Sequence, residues 1–113
     1  MTAVQPDRPT LIDSQALDEL VRSSAVPVLA DFYADWCAPC RMMAPILDSF
    51  AREHAGQVVV VKVDTDASPQ AAITLGIRSI PTLVLFRDGR EVDRQVGVAS
   101  PAYLANMLAT SGQ

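Results

Sequence analysis

The residue types that build metal and nucleotide sites are scarce in this chain. It has one histidine, His54, and only two cysteines, Cys37 and Cys40. A structural zinc site takes four ligands, so these three cannot close one, and no metal is expected. Attachment of a c-type haem asks for histidine directly after the second cysteine, where Arg41 stands. An iron–sulfur site would need a second chain's cysteines. The five glycines form none of the Gly-rich patterns that cradle phosphates, so no nucleotide cofactor is expected. Positive charge is also short: nine Lys and Arg against thirteen Asp and Glu give a net charge of −4. Nucleic-acid binding normally needs a basic face, so nucleic acid is excluded as a partner. No apolar run approaches the ~20 residues of a membrane span, which excludes a membrane helix.

With 113 residues, half of them apolar, the chain suits one domain with a real core. Residues 1–9, polar with two prolines, read as a flexible tail, and 10–113 as the domain. The tail has no apolar signal-peptide core. The expected location is therefore the cytoplasm, where a structural disulfide is not expected.

The elements alternate. Thr10–Ile12 is a short strand candidate. Asp13 caps a helix over Ser14–Arg22, with Leu17, Leu20 and Val21 on one face. Pro27–Ala34 is nearly all apolar, as in a strand covered on both sides. A helical pattern from Pro39 to His54 places Met43, Ile46, Leu47 and Phe50 together, and Pro45 predicts a kink in it. His54 reads as a surface residue near the helix end. Gln57–Val63, with four consecutive valines, predicts a buried parallel strand. Ser68-Pro69 reads as a cap and first-turn proline for a helix to Leu75, closed by Gly76. Thr82–Arg87 and Glu91–Val98 are strands joined by Asp88-Gly89, a strong hairpin signal. Ser100-Pro101 opens a last helix to Thr110 that buries Leu104, Met107 and Leu108, and residues 111–113 read as a frayed end. The order β-α-β-α-β-α-β-β-α predicts an α/β fold. Its central mixed sheet has five strands, three parallel plus the antiparallel hairpin, flanked by four helices.

Both cysteines and the sole tryptophan stand in Ala34-Asp35-Trp36-Cys37-Ala38-Pro39-Cys40-Arg41, where a strand hands over to a helix. Cys37 falls at the N-cap and Cys40 one turn in, so both sulfurs share a helix face. This is the layout of a dithiol that opens and closes as a redox disulfide. In open α/β sheets, sites form beyond the carboxyl ends of strands, which is where this segment lies. Unpaired N–H groups at the helix start favour a Cys37 thiolate by about 0.3–1 kcal/mol, up to ~2. That lowers a thiol pKa by at most about 1.5 units. Two charges sit inside apolar strands, Asp31 and Lys62. A buried carboxylate is costly, so Asp31 needs an outward orientation, a partner or a function.

Trp36-Cys37-Ala38-Pro39-Cys40, Asp31 six residues upstream of Cys37, and Ile80-Pro81-Thr82 before a hairpin resemble the thioredoxins over residues 10–110. The likeness is to cytosolic bacterial-type members. One branch carries an N-terminal zinc ribbon, for which this chain has no cysteines. The departures are Ala38 where glycine is usual, Tyr33 where tryptophan is common, and Ser79 where some members have glycine.

The resemblance implies a protein-disulfide reductase acting through a mixed disulfide, with Cys37 as nucleophile and Cys40 as resolving thiol. It implies that Asp31 lies beneath Cys40 as its proton acceptor, with a raised pKa and with Lys62 nearby to tune it. The Ile80–Pro81 bond is open to cis or trans from spacing alone, and the resemblance implies cis. A cis bond would free the Ile80 backbone to pair with a substrate strand. Trp36, Ala38, Pro39, Ile80, Pro81, Val96, Gly97 and Val98 would form an apolar docking surface. Electrons would come from NADPH through an external thioredoxin reductase, with no bound cofactor. The expected partners are that reductase and varied protein disulfides, and the expected state is a monomer. Two alternatives remain: a thiol oxidase or isomerase of the same fold, and a non-catalytic binding module of that fold.

Overall fold

The computed structural model describes residues 4–110. The N-terminal three residues of the tail and the C-terminal end at 111–113 lie outside the described residues. Nine elements follow in order: β1 (Thr10–Leu11), α1 (Ser14–Ser23), β2 (Val28–Tyr33), α2 (Ala38–Glu53), β3 (Val59–Asp64), α3 (Gln70–Thr74), β4 (Thr82–Arg87), β5 (Arg90–Val96) and α4 (Pro101–Thr110). The five strands form one sheet in the order β1-β3-β2-β4-β5. β3 pairs in parallel with β1 and β2, while β4 runs antiparallel to both β2 and β5. The expected mixed sheet, three parallel strands plus a hairpin, is what the chain forms.

Strand alternation sorts the core into two layers. Val28, Ala30 and Phe32 of β2 join Val61, Val63, Val84 and Phe86 under α1 and α3, where Leu17 and Ala72 pack. Leu29 joins Val60, Leu83 and Leu85 on the opposite face. There α2 contributes Met43, Leu47 and Phe50, and α4 contributes Leu104 and Met107. The central strands are thus covered on both sides, which is why they read as unbroken apolar runs. Val4 packs against the first layer, and the Gln5 N–H donates to Thr10 Oγ1 at 2.9 Å.

Local signals explain most boundaries. Asp13 caps α1, accepting the Ala16 N–H at 2.8 Å. Asp88 and Gly89 both take positive φ, 55° and 83°, as a two-residue hairpin turn requires. Ser100 caps α4, its hydroxyl accepting the Tyr103 N–H at 3.1 Å. α2 is continuous through Pro45. His54 closes it half-buried, its ring 4.3 Å from that of Phe50.

The start of α3 differs from expectation. Pro69 occupies the N-cap position and no side chain of its own segment caps the helix. The Ser68 hydroxyl instead serves α1, accepting the Ser14 N–H at 2.8 Å, while the Ser14 hydroxyl accepts the Ala71 N–H at 3.0 Å. The two serines exchange partners across 54 residues of sequence and bond one another at 2.9 Å. Two helix-start donors, the Ser14 and Ala71 N–H groups, thus find their acceptors on the neighbouring segment, while Asp13 still caps α1.

Candidate active site

β2 ends at Tyr33 and α2 begins at Ala38, with the connection at the carboxyl end of the parallel strands. Cys37 is the N-cap of α2, with extended backbone (φ −87°, ψ 111°) and Pro39 within the first turn. Cys37 and Cys40 are joined by a disulfide, their Cα atoms 5.2 Å apart. The Cys40 N–H donates to Cys37 Sγ at 3.3 Å. A helix-start amide is therefore aimed at the first sulfur, the arrangement that favours negative charge there. Both cysteines are buried among Ala34, Tyr33 and Ile80.

Asp31 is fully buried in the middle of β2, so the outward orientation is excluded. It shares the face of Leu29, under α2 and α4. Cys40 stands one turn before Met43 on the buried side of α2, toward the same end of the sheet. Neither carboxylate oxygen has a hydrogen-bond partner among the described residues. Burial pushes the Asp31 pKa from 3.8 up to about 7, against the opposing pull of Lys62. Lys62 is half-buried and directly across from Asp31 in the β2–β3 register. Its ammonium lies over the Tyr33 ring, 4.4 Å from the centroid.

The Ile80–Pro81 peptide bond is cis. The Ile80 carbonyl oxygen is 3.8 Å from Cys37 Sγ. The Pro81 carbonyl accepts the Gly97 N–H at 2.8 Å, which draws the segment after β5 to the same place. Ser79 and Thr82 close the turn, the Thr82 hydroxyl donating to the Ser79 carbonyl at 2.6 Å. The Ile80 N–H makes no hydrogen bond among the described residues. Of the residues expected on the docking surface, Trp36, Ala38, Pro39, Val96 and Val98 are exposed. Ile80 and Gly97 are half-buried and Pro81 is buried. The Pro81 side chain is covered, and its carbonyl is engaged by Gly97.

Three contacts here were not foreseen from sequence. The Trp36 indole N–H donates to Asp66 Oδ2 at 2.8 Å. The buried Met43 sulfur accepts the Ala99 N–H at 3.4 Å, tying α2 to the segment after Gly97. The third is the seat of Lys62 on Tyr33. All three join residues far apart in the chain. Only the last had a readable signal: an aromatic and a lysine placed diagonally on paired strands. Among the described residues, no group of three or more His, Cys, Asp or Glu is placed to hold a metal ion, and no helix is long and apolar enough to cross a membrane.

Residues 9–110 match the family model for thioredoxin. Thioredoxin 1 of Synechococcus elongatus is 53% identical over 88 residues, 78% of this chain and 82% of that protein. The chloroplastic M-type thioredoxin of Pisum sativum is 46% identical over 98 residues, 87% of this chain and 57% of that protein. Among solved structures, a single-residue mutant of thioredoxin from Halobacterium salinarum NRC-1 superposes with a TM-score of 0.86. It is 37% identical, and the match covers 100% of this chain and 97% of that one.

Proposed function

The chain belongs to the thioredoxin family and acts in protein-disulfide exchange, and from that premise we propose how its own residues divide the work. Cys37 is the nucleophile. The observation that carries this choice is the Cys40 N–H aimed at Cys37 Sγ from the first turn of α2. The Cys37 thiolate attacks one sulfur of a substrate disulfide, forming a mixed disulfide and releasing the other substrate sulfur as a thiolate, which takes a proton from water. Cys40 S–H then gives its proton to the Asp31 carboxylate. The Cys40 thiolate attacks Cys37 Sγ, and the second substrate sulfur leaves as a thiolate and is protonated. Two electrons pass to the substrate, and Cys37–Cys40 is left oxidised.

The carboxylate suits this step because its proton affinity, raised by burial to a pKa of about 7, keeps both of its forms populated near neutral pH. Lys62 tunes it by stabilising the ionised form. Cys40, held one turn away, acts at high effective concentration. Substrates dock on Trp36, Ala38, Pro39, Ile80, Pro81, Val96, Gly97 and Val98. The free Ile80 N–H pairs with an extended substrate backbone, which accommodates varied side chains. The oxidised form is returned to the dithiol by NADPH electrons through an external thioredoxin reductase. The protein works as a cytoplasmic monomer.

Trapping tests the division of roles. With a protein disulfide in excess, reduced Cys40→Ser accumulates a stable adduct on Cys37, seen as an added mass that dithiothreitol removes. Cys37→Ser forms none. An adduct on Cys40 in Cys37→Ser, with none on Cys37 in Cys40→Ser, reverses the assignment.

A further inference from the structure

Lys62 faces Asp31 in register, yet both carboxylate oxygens are without a partner. The Lys62 ammonium is seated instead on the Tyr33 ring. The strand beneath the ring is anchored: the Tyr33 carbonyl accepts the Thr65 N–H at 2.9 Å and the Thr65 hydroxyl at 3.1 Å. A cation over an aromatic face is held by the ring's negative face, the more strongly as it is desolvated. The ring thus offers the ammonium a second seat beside the carboxylate it faces.

We propose that Tyr33 is a positioning residue that holds the Lys62 ammonium over its ring and off Asp31, and so keeps the carboxylate ready to take up a proton. The proposal deepens, and rests on, the assignment of Asp31 as the acceptor of the Cys40 proton. While Asp31 is neutral it offers the ammonium little, and Lys62 stays on the ring. When Asp31 ionises, the carboxylate draws Lys62 and the ring contact is given up. Without the ring this loss disappears, the ionised form is favoured, and the carboxylate accepts a proton less readily.

Among the described residues, Lys62 is the one positive charge acting on Asp31. β4 presents Leu83 opposite it, and Met43 of α2 packs with Leu83 on the same face of the sheet. Asp64 on β3 and Asp35 before α2 are the other acids near Tyr33. Its phenol is held neutral, its pKa pushed up first by burial and then by Asp64, Asp35 and Asp31.

The test is the Asp31 carboxyl titration, followed by carbon NMR in the oxidised protein, beside the pH profile of the resolving step in the reduced protein. Tyr33→Phe keeps the ring face and is expected to titrate as the parent does. Tyr33→Leu is expected to lower the Asp31 midpoint by about half to one pH unit. Lys62→Met raises the midpoint, and in that background Tyr33→Leu no longer lowers it. An unchanged midpoint in Tyr33→Leu, or an equal drop with and without Lys62, overturns the proposal. The unsubstituted protein gives a second reading should Tyr33→Leu fail to fold. Its Lys62 ε-methylene protons are expected to carry an upfield ring-current shift that weakens as Asp31 ionises, and absence of that shift overturns the proposal. Should the midpoints move as expected while the resolving-step profile stays fixed, the Tyr33 contact stands and the Asp31 assignment fails.

Discussion

At Asp31 stability and the role proposed for it pull in opposite directions. With a folded pKa of about 7 against 3.8 when solvated, the native state holds its proton more tightly than the unfolded state. Between those two values the folded form binds more protons, so stability falls as pH rises and levels off above about 7. The full effect is on the order of 4 kcal/mol. Asp31→Ala is therefore expected to abolish most of the decline between pH 4 and 8, and to be more stable than the parent at pH 8 despite the small cavity. Urea midpoints at several pH values measure this, and a parent slope retained in the variant refutes it. The same variant is expected to resolve mixed disulfides more slowly, read by stopped-flow exchange with a protein disulfide. A charge inside an apolar strand was legible in the sequence as a signal. Its lack of any hydrogen-bond partner was not, because that depends on what β3, β4 and α2 bring to it.

At the scale of elements, α2 sets the site, and the segment after β5 completes it. The link between them is the Met43 sulfur accepting the Ala99 N–H. Met43→Leu conserves volume, and such swaps usually cost less than about 1.5 kcal/mol. Here it also strips a buried N–H of its acceptor, worth about 1–3 kcal/mol. We expect a loss nearer 2–4 kcal/mol, with faster amide exchange at Val98 and Ala99 and a raised KM for protein disulfides. A cost below about 1 kcal/mol with unchanged exchange would show that the sulfur contact contributes nothing. Contacts of this kind mark the limit of sequence reading. The Asp88-Gly89 turn, the Asp13 cap and the Ser100 cap act within a few residues and were legible. The Ser68 hydroxyl, read as the cap of its own helix, serves α1 instead, because a better partner lies 54 residues away. Strand β4 was placed to the residue because it is apolar and bounded by a proline and a turn. β5 begins at Arg90 rather than Glu91, since pairing with Arg87 continues into the turn.

For the molecule as a whole, the order β1-β3-β2-β4-β5 places β2 at the centre, with strands on either side and a helix layer on each face. The carboxyl end of the central strand is where a helix start and the Ile80–Gly97 segment meet, with a buried acid further back in the strand. In the proposed division of roles, that convergence makes a dithiol that donates electrons rather than one that crosslinks the fold. Trp36 is the sole tryptophan and adjoins Cys37, so its fluorescence is expected to report the redox state. The decisive measurement is the Cys37–Cys40 reduction potential, obtained from Trp36 emission in buffers of defined thiol–disulfide ratio. A reductase of protein disulfides requires a value more negative than about −230 mV, below the glutaredoxin range. A value of about −180 mV or higher, in the range of the isomerases and oxidases, would contradict the account.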